Sequence, residues 1–184
     1  MAKNNGPITN EYLTVQGEPV PTDDFNASPL TDQPGVYEVI RVMDGGPLFL
    51  EKHLARFRNS AAILGYRLQF DDRYISSMLQ KLISVNGCKY RNVRIIANRL
   101  DSPAQRIYAH YIASSYPDRS LIQSGVHTIL FHSERSNPNA KSTNLKFRDH
   151  IADALSKHGA YEALLVNEKS EVTEGSRSNF FGVK

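Results

Sequence analysis

The sequence predicts an α+β fold divided into two domains, and three features of the chain indicate this. Several short runs are rich in β-branched and aromatic residues, as strands are, and other runs repeat apolar residues at helical spacing. A polar stretch that contains Pro117 and Gly125 separates two groups of such elements. We therefore expect a first domain over residues 1–117, a linker over 118–125 and a second domain over 126–184.

The first domain is predicted to hold a β-hairpin, two helices and two further strands. In GVYEVIRVMDGGPLFL, Val36 and Ile40 share one face with Glu38, while Tyr37 lies on the other. The Asp-Gly-Gly turn then leads into a second apolar stretch. EKHLARFRNSAAILG and DDRYISSMLQKLISVNG each have one apolar face and end in glycine, which predicts helices. KYRNVRIIANR and RIYAHYIASSY predict strands joined by LDSPAQ.

The second domain is predicted to alternate strand, helix and strand. VHTILFHS reads as a strand, and the polar SERSNPNAKST follows it as a loop. NLKFRDHIADALSKHG predicts a helix that ends at its glycine, and YEALLVN predicts the next strand. The chain then continues into EVTEGSRSNFFGVK, where an acid and a glycine precede a group of small polar residues.

Composition and charge are those of an ordinary globular protein. The 184 residues are 40% hydrophobic and 22% charged, and the formal net charge of +3 is spread along the chain without a run of like charge. We therefore expect no nucleic-acid partner. The N-terminus lacks the apolar core of a signal peptide, and no apolar run has the length of a membrane span. A cytoplasmic protein without a membrane partner is expected.

The common single-sequence signatures of catalysis are absent. The chain has no glycine-rich phosphate loop, no paired-cysteine metal spacing, no HExxH and no GxSxG motif. Its six histidines lack mutual ligand spacing, and the single cysteine, Cys88, cannot form an internal disulfide. We expect no metal site, and hydrolase and metalloenzyme classes are disfavoured.

Three separated segments together indicate a family. GVYEVIRVMDGGPLFLEKHLARFRNSA contains His53-x-x-Arg56, AKSTN contains Lys141 and Asn144, and YEALLVNEKSEVTEGSRSN contains Glu174. In this order they resemble the class IV aminotransferases, the fold-type IV enzymes that use pyridoxal 5'-phosphate (PLP). This family includes D-amino-acid and branched-chain aminotransferases and 4-amino-4-deoxychorismate lyase. The resemblance runs from about Gly35 to Lys184.

The resemblance implies a two-domain fold like that of D-amino-acid aminotransferase, with the second domain incomplete. Family members continue well beyond the end of this chain, and the missing part supplies backbone N–H groups that hold the cofactor phosphate. Either the sequence is a fragment of a longer enzyme, or it is a shortened member that compensates in another way. The abrupt end favours a fragment. The family also implies a homodimer.

The resemblance also assigns roles to three residues. Lys141 would hold the PLP aldehyde as a Schiff base and transfer the proton between substrate and cofactor. Glu174 would face the pyridine nitrogen and stabilise its protonated form. The interval of 174 − 141 = 33 residues matches the family, whereas Lys146 would give only 28. Arg56 would bind the cofactor phosphate, for which a guanidinium fork is well suited.

Further site residues are predicted with weaker support. The small residues beside Glu174 allow close approach of a flat ring, so they are candidate cofactor ligands: Ser176, Ser178 and Asn179. Asn144 would support the lysine loop, and His53 is expected to be structural. D-amino-acid aminotransferases bind the substrate carboxylate through an Arg-x-His that this chain lacks. The substrate candidates are therefore Tyr37, Arg99 and Arg106.

The predicted activity is PLP-dependent transfer of an amino group between an amino acid and a 2-oxo acid. Elimination of pyruvate from 4-amino-4-deoxychorismate uses the same lysine, so the lyase reaction stays open. A non-catalytic PLP-binding or structural protein is the alternative of another class. The sequence does not choose the substrate or its stereochemistry.

Overall fold

A computed structural model describes residues 10–114, 117–133 and 145–181. These residues divide into two compact units, one formed by 10–114 and the other by 117–133 with 145–181. The predicted domain boundaries at 117 and 125 stay a prediction. The mixed α and β content matches the predicted fold class.

The first unit is built on a six-stranded sheet in which every recorded pairing is antiparallel. The strands lie in the order β2-β1-β6-β5-β3-β4. Their bounds are Tyr12–Val15 (β1), Glu18–Pro21 (β2), Gly35–Met43 (β3), Gly46–Pro47 (β4), Arg91–Asn98 (β5) and Arg106–Ile112 (β6). The long pairing of β3 with β5 places Tyr37 opposite Ile96 and Glu38 opposite Ile95.

Two helices cover one face of this sheet. They are α1, Leu50–Ile63, and α2, Asp72–Asn86. The Asp71 side chain caps α2 by accepting a 2.7 Å hydrogen bond from the Tyr74 amide, and Gly87 ends the helix with a φ of 59°. The apolar faces predicted from helical spacing form one core with the sheet, including Phe57, Leu79 and Ile95.

A smaller cluster covers the opposite face of the sheet. Ile96 and Tyr108 are buried there against Leu30 and Phe25. Tyr37 also packs in this cluster and is half-buried. The alternation predicted for β3 therefore holds, with Glu38 on the helix-covered face and Tyr37 on the other.

The second unit is a three-stranded sheet with one long helix. Its elements are α3, Arg119–Ser124; β7, Thr128–His132; α4, Leu145–His158; β8, Glu162–Val166; and β9, Val172–Gly175. β7 and β8 are parallel, as expected of strands joined through a helix, and β9 is antiparallel to β8. Ile151 of α4 packs with Ala163 and Leu165 of β8.

Three elements differ from the sequence-based expectation. The hairpin β1–β2 was not predicted, because the two prolines of EPVP disfavour a strand and are tolerated here at the sheet edge. The expected linker contains α3, which buries none of its residues. The second strand of the predicted hairpin is only Gly46–Pro47.

No helix among the described ranges combines the length and the apolar character needed to cross a bilayer.

Candidate active site

A pocket of about 240 Å³ lies along the first two turns of α1. It is lined by Phe49, Lys52, His53 and Arg56. This volume is below the roughly 300 Å³ at which sites for drug-sized ligands begin. The pocket therefore suits one charged group of a ligand better than a whole molecule.

A buried carboxylate orients the arginine of this pocket. Glu38 on β3 has 0% exposure, and its two oxygens accept 2.7 Å hydrogen bonds from Nε and Nη2 of Arg56. Its Oε1 also accepts from the Val39 amide at 2.9 Å. The hydrogen bonds from Arg56 to Glu38 raise the pKa of the guanidinium above its ordinary value, so Arg56 stays cationic.

The opposite edge of the guanidinium is available to a ligand. Among the described residues, Nη1 of Arg56 makes no hydrogen bond, and the side chain is 47% exposed. His53 lies at the side of the pair, with Nδ1 at 3.3 Å from Arg56 Nη2 and 3.4 Å from Glu38 Oε1. Glu38 balances the charge of Arg56, so the ammonium of Lys52 gives the pocket a net positive charge. The arrangement can bind an anion.

Phe49 forms the mouth of the pocket in an unusual backbone conformation. It precedes α1 with φ 48° and ψ 39°, a left-handed state that is costly for a bulky residue. Its carbonyl accepts hydrogen bonds from the amides of Lys52 and His53 at 3.0 and 3.2 Å. The Lys52 ammonium lies 5.6 Å from the centre of the Phe49 ring, within cation–π distance.

The second unit contains Glu174, the predicted partner of the cofactor nitrogen. Glu174 is half-buried on β9 and pairs with Leu165 of β8. Lys141 and Asn144 lie outside the described residues, in the connection between β7 and α4. The pairing of Lys141 with Glu174 around one ring therefore stays a prediction.

A tight turn follows Glu174 directly. The Gly175 amide donates to the Ser178 carbonyl at 3.0 Å, and the Ser176 amide donates to the Ala163 carbonyl at 2.8 Å. Arg177 donates to the Tyr161 carbonyl, and its guanidinium carbon lies 5.7 Å from the Tyr161 ring centre. The turn is thereby closed on itself and attached to the start of β8.

Glu162 is the buried acceptor behind this turn. Its carboxylate accepts from the Ala163 amide at 2.8 Å, the Ser176 amide at 3.1 Å, the Ser176 hydroxyl and the Ser178 hydroxyl at 2.9 Å. Burial alone would raise the pKa of Glu162. The donated hydrogen bonds, led by that of Ser176, and the charge of Arg177 outweigh this effect and lower the pKa below 4.5.

These bonds involve two of the three predicted cofactor ligands beside Glu174. The hydroxyl protons of Ser176 and Ser178 are both donated to Glu162, so each oxygen can only accept from a ligand in this arrangement. Asn179 is exposed beyond the turn. The cofactor-binding roles of these residues stay predictions.

The three predicted substrate residues lie in the first unit. The Tyr37 ring lies 4.9 Å from the guanidinium carbon of Arg94. Arg99 Nε lies 3.5 Å from Asp32 Oδ2, and Arg106 is exposed at the start of β6. By strand alternation, Tyr37 and Arg106 share the sheet face opposite the helices. Their substrate roles also stay predictions.

Sequence reasoning did not identify Glu38, Glu162 or Lys52 as site residues. Glu38 carried a signal, because a carboxylate in a row of apolar residues must find a partner when it is buried. Glu162 stands similarly at the head of the apolar run EALLV. Lys52 carried no signal that separates it from other lysines on a helix surface.

Comparison with known proteins identifies the family. The family model of amino-transferase class IV matches residues 35–184. The chain belongs to the class IV aminotransferases. Among curated relatives, this class IV chain is 30% identical over 160 residues to the D-alanine aminotransferase of Bacillus licheniformis, covering 82% of this chain and 56% of the relative. It is 30% identical over 161 residues, with the same coverage, to that of Staphylococcus aureus (strain N315).

Solved structures agree with the family assignment. The branched-chain amino acid aminotransferase of T.th., solved with pyridoxamine 5'-phosphate, has a TM-score of 0.74 and 25% identity, covering 92% of this chain and 63% of that one. The branched-chain aminotransferase of Escherichia coli has a TM-score of 0.74 at 19% identity, covering 91% and 63%, and supports the fold alone. The class IV chain spans just over half the length of the curated relatives it matches, 56%.

Proposed function

We propose that this class IV aminotransferase chain binds PLP and that the protein transfers an amino group between an amino acid and a 2-oxo acid. The observation that carries the proposal is the cationic pocket on α1, in which Glu38 orients Arg56. Family membership supports the cofactor and the reaction class.

The donors of the pocket suit a phosphate group. Nη1 of Arg56 has two N–H groups to offer, Lys52 adds a mobile cation, and the volume of about 240 Å³ accommodates one phosphate. A phosphate dianion would pair with the guanidinium of Arg56, which Glu38 keeps cationic. We assign the cofactor phosphate to this position.

PLP supplies the electron sink for the reaction when it is bound. The Lys141 amine would hold the cofactor aldehyde and would take the proton from the substrate Cα. The Glu174 carboxylate would face the pyridine nitrogen and would keep a proton on it through its negative charge. A proton on that nitrogen is what lets the ring accept electron density.

We place the substrate carboxylate near Arg106 in preference to Arg99. Arg99 already has Asp32 as an ionic partner at 3.5 Å, whereas Arg106 is exposed on the face that carries Tyr37. The D-alanine aminotransferase relatives favour a D-amino acid as the first substrate to assay. A cytoplasmic homodimer is the assembly that we propose.

An absorbance titration and a substrate panel test this function. We expect added PLP to give a visible band that Lys141→Ala abolishes, and D-alanine, L-leucine or L-glutamate to yield its 2-oxo acid. Arg56→Ala should raise the Kd for PLP at least about tenfold, the effect of one or more lost charged hydrogen bonds.

The matched control is Arg73→Ala, an exposed arginine of α2. It should leave the Kd unchanged. Absence of any band with PLP would overturn the proposal and favour a structural protein. Release of p-aminobenzoate and pyruvate from 4-amino-4-deoxychorismate, with no turnover of amino acids, would assign the lyase reaction instead.

A further inference from the structure

We propose, resting on the function proposed above, that Glu162 is a positioning residue for Glu174. It acts by fixing the turn over residues 175–178, which holds the end of β9 where Glu174 lies. This carboxylate lies in the segment YEALLVNEKSEVTEGSRSN, but no role is predicted for it from the sequence.

The backbone at Glu174 needs support from beyond its own strand. Among the described residues, β9 pairs with β8 on one side, and the register between them shifts at Leu165 and Val166, where Glu174 pairs. A strand with an irregular ladder is less constrained than one with regular pairing. The turn that follows Glu174 therefore adds a constraint that the ladder supplies only in part.

Glu162 supplies that constraint through both of its oxygens. Oε1 accepts from the amide and hydroxyl of Ser176, and Oε2 accepts from the hydroxyl of Ser178. The bond from the Ala163 amide to Oε1, 2.8 Å, orients the carboxylate itself. Two alternate residues of the turn are thus tied to one buried group that is 7% exposed.

The space at Gly175 shows that the turn is closely packed. A Cβ built there would lie 2.3 Å from the Ser178 hydroxyl and 2.8 Å from the Ser178 carbonyl. Any side chain at position 175 must therefore push Ser178 away and break its bond to Glu162. The glycine directly after Glu174 is required by the closed turn.

The ionised state of Glu162 matters for these bonds. A carboxylate accepts at both oxygens, whereas the amide of glutamine accepts at one and donates at the other. Glu162→Gln therefore keeps the volume of the side chain while removing one serine anchor. The variant isolates the positioning role from cavity formation.

The test uses the full chain with PLP as the probe, in four forms: wild type, Glu162→Gln, Glu174→Gln and the double variant. Three quantities are measured: the Kd for PLP, the pH dependence of the bound cofactor's absorption, and hydrogen exchange of the Ser176 amide without cofactor. Glu162→Gln should speed the exchange, raise the Kd roughly tenfold and shift the pH profile in the direction of Glu174→Gln. The double variant should match Glu174→Gln, because Glu162 acts through Glu174.

The control is Glu171→Gln, an exposed glutamate of the same hairpin whose carboxylate accepts from Asn167 at 3.0 Å. It should change none of the three quantities. Gly175→Ala is the second variant if Glu162→Gln does not fold, and it should shift the same pH profile by opening the turn.

The outcomes separate the two proposals. If Glu174→Gln leaves Kd and pH profile unchanged, the role of Glu174 in the proposed function is wrong. If Glu174→Gln acts while Glu162→Gln and Gly175→Ala do not, only the positioning role is overturned. Effects that multiply in the double variant would also overturn it, because the two glutamates would then act independently.

Discussion

Among the residues that the structure describes, each unit of the protein buries one carboxylate, and the two are compensated in different ways. Glu38 in the first unit is matched by a cation, Arg56, at 2.7 Å. Glu162 in the second unit accepts most of its hydrogen bonds from neutral groups, the hydroxyls and amides of a turn. The first arrangement fixes a long charged side chain, and the second fixes backbone.

This contrast shows how a buried acid serves a site. A paired cation keeps free donors for an anion, since Arg56 is 47% exposed and uses only part of its N–H groups on Glu38. A carboxylate that accepts from neutral donors keeps its charge but has its oxygens occupied, so it fixes the chain beside it and leaves little room for a ligand. Under the two proposals, Glu38 would support binding of the phosphate, and Glu162 would support the position of Glu174.

Removal of Arg56 should have the largest effect on stability. Arg56→Ala removes the two 2.7 Å hydrogen bonds that the guanidinium donates to the fully buried Glu38, and breaking a buried pair of this kind costs about 3–5 kcal/mol. Urea unfolding of the cofactor-free protein measures this loss. Glu38→Gln in the Arg56→Ala background should recover part of it, and a double variant as unstable as Arg56→Ala would contradict the pairing.

A third buried group, His110, makes the stability of the first unit depend on pH. Burial lowers the pKa of His110 from 6.5 to about 4. The hydrogen bond to the Tyr111 carbonyl opposes this shift, and the charge of Arg94 adds to it. The unfolded chain then binds more protons than the folded one between these values, so stability falls as pH drops from 6.5 to 4. The total loss is roughly 3 kcal/mol.

The two units should therefore respond to acid in different ranges. The lowered pKa of Glu162 means that its contribution is present above 4.5 and is lost only below it. Melting temperatures from pH 7.5 to 4.5 measure the His110 effect, and His110→Gln should flatten the curve in that range. The exposed His127→Gln should leave the curve as in wild type.

Truncation of the neutral network should cost less than breaking the ion pair. Glu162→Ala removes the acceptor of four donors, but the two serines stand at a turn where water can replace it in part. We expect a loss of about 1–3 kcal/mol by urea unfolding. A loss equal to that of Arg56→Ala would mean that charge pairing does not distinguish the units.

Removal of a helix cap should have the smallest effect on stability. The cap of a helix with buried residues should matter more than the cap of an exposed helix. Asp71→Ala should cost about 1 kcal/mol, because α2 carries buried residues and the cap bond is 2.7 Å. Asp118 caps α3 through the Leu121 amide at 2.9 Å, but α3 buries no residue. Asp118→Ala should leave the unfolding curve unchanged, and hydrogen exchange in each helix reports the two effects separately.

Much of the fold could be predicted from local pattern. α1, α2 and α4 follow from apolar spacing and glycine ends, and the longer strands follow from β-branched and aromatic runs. β1 and β2 could not be predicted in this way. β1 pairs with β6, which is distant in the chain, and the prolines of β2 hide its strand character. α3 is too short to show a period.

The site is less readable from sequence for a physical reason. The family resemblance points to groups that are expected to touch a ligand, such as Arg56 and Glu174. The acids that orient them, Glu38 and Glu162, are defined by burial and by partners distant in the chain. Only the folded geometry shows that the serines beside Glu174 donate to Glu162.

The left-handed backbone of Phe49 predicts how this surface would change under selection for stability. Its left-handed backbone would be adopted at lower energy by glycine or asparagine, and its ring is 64% exposed. A directed-evolution library scored only for thermal robustness should therefore replace Phe49 before it touches any core position. Retention of the aromatic ring when the same library is also scored for PLP binding would indicate a requirement for ligand capture.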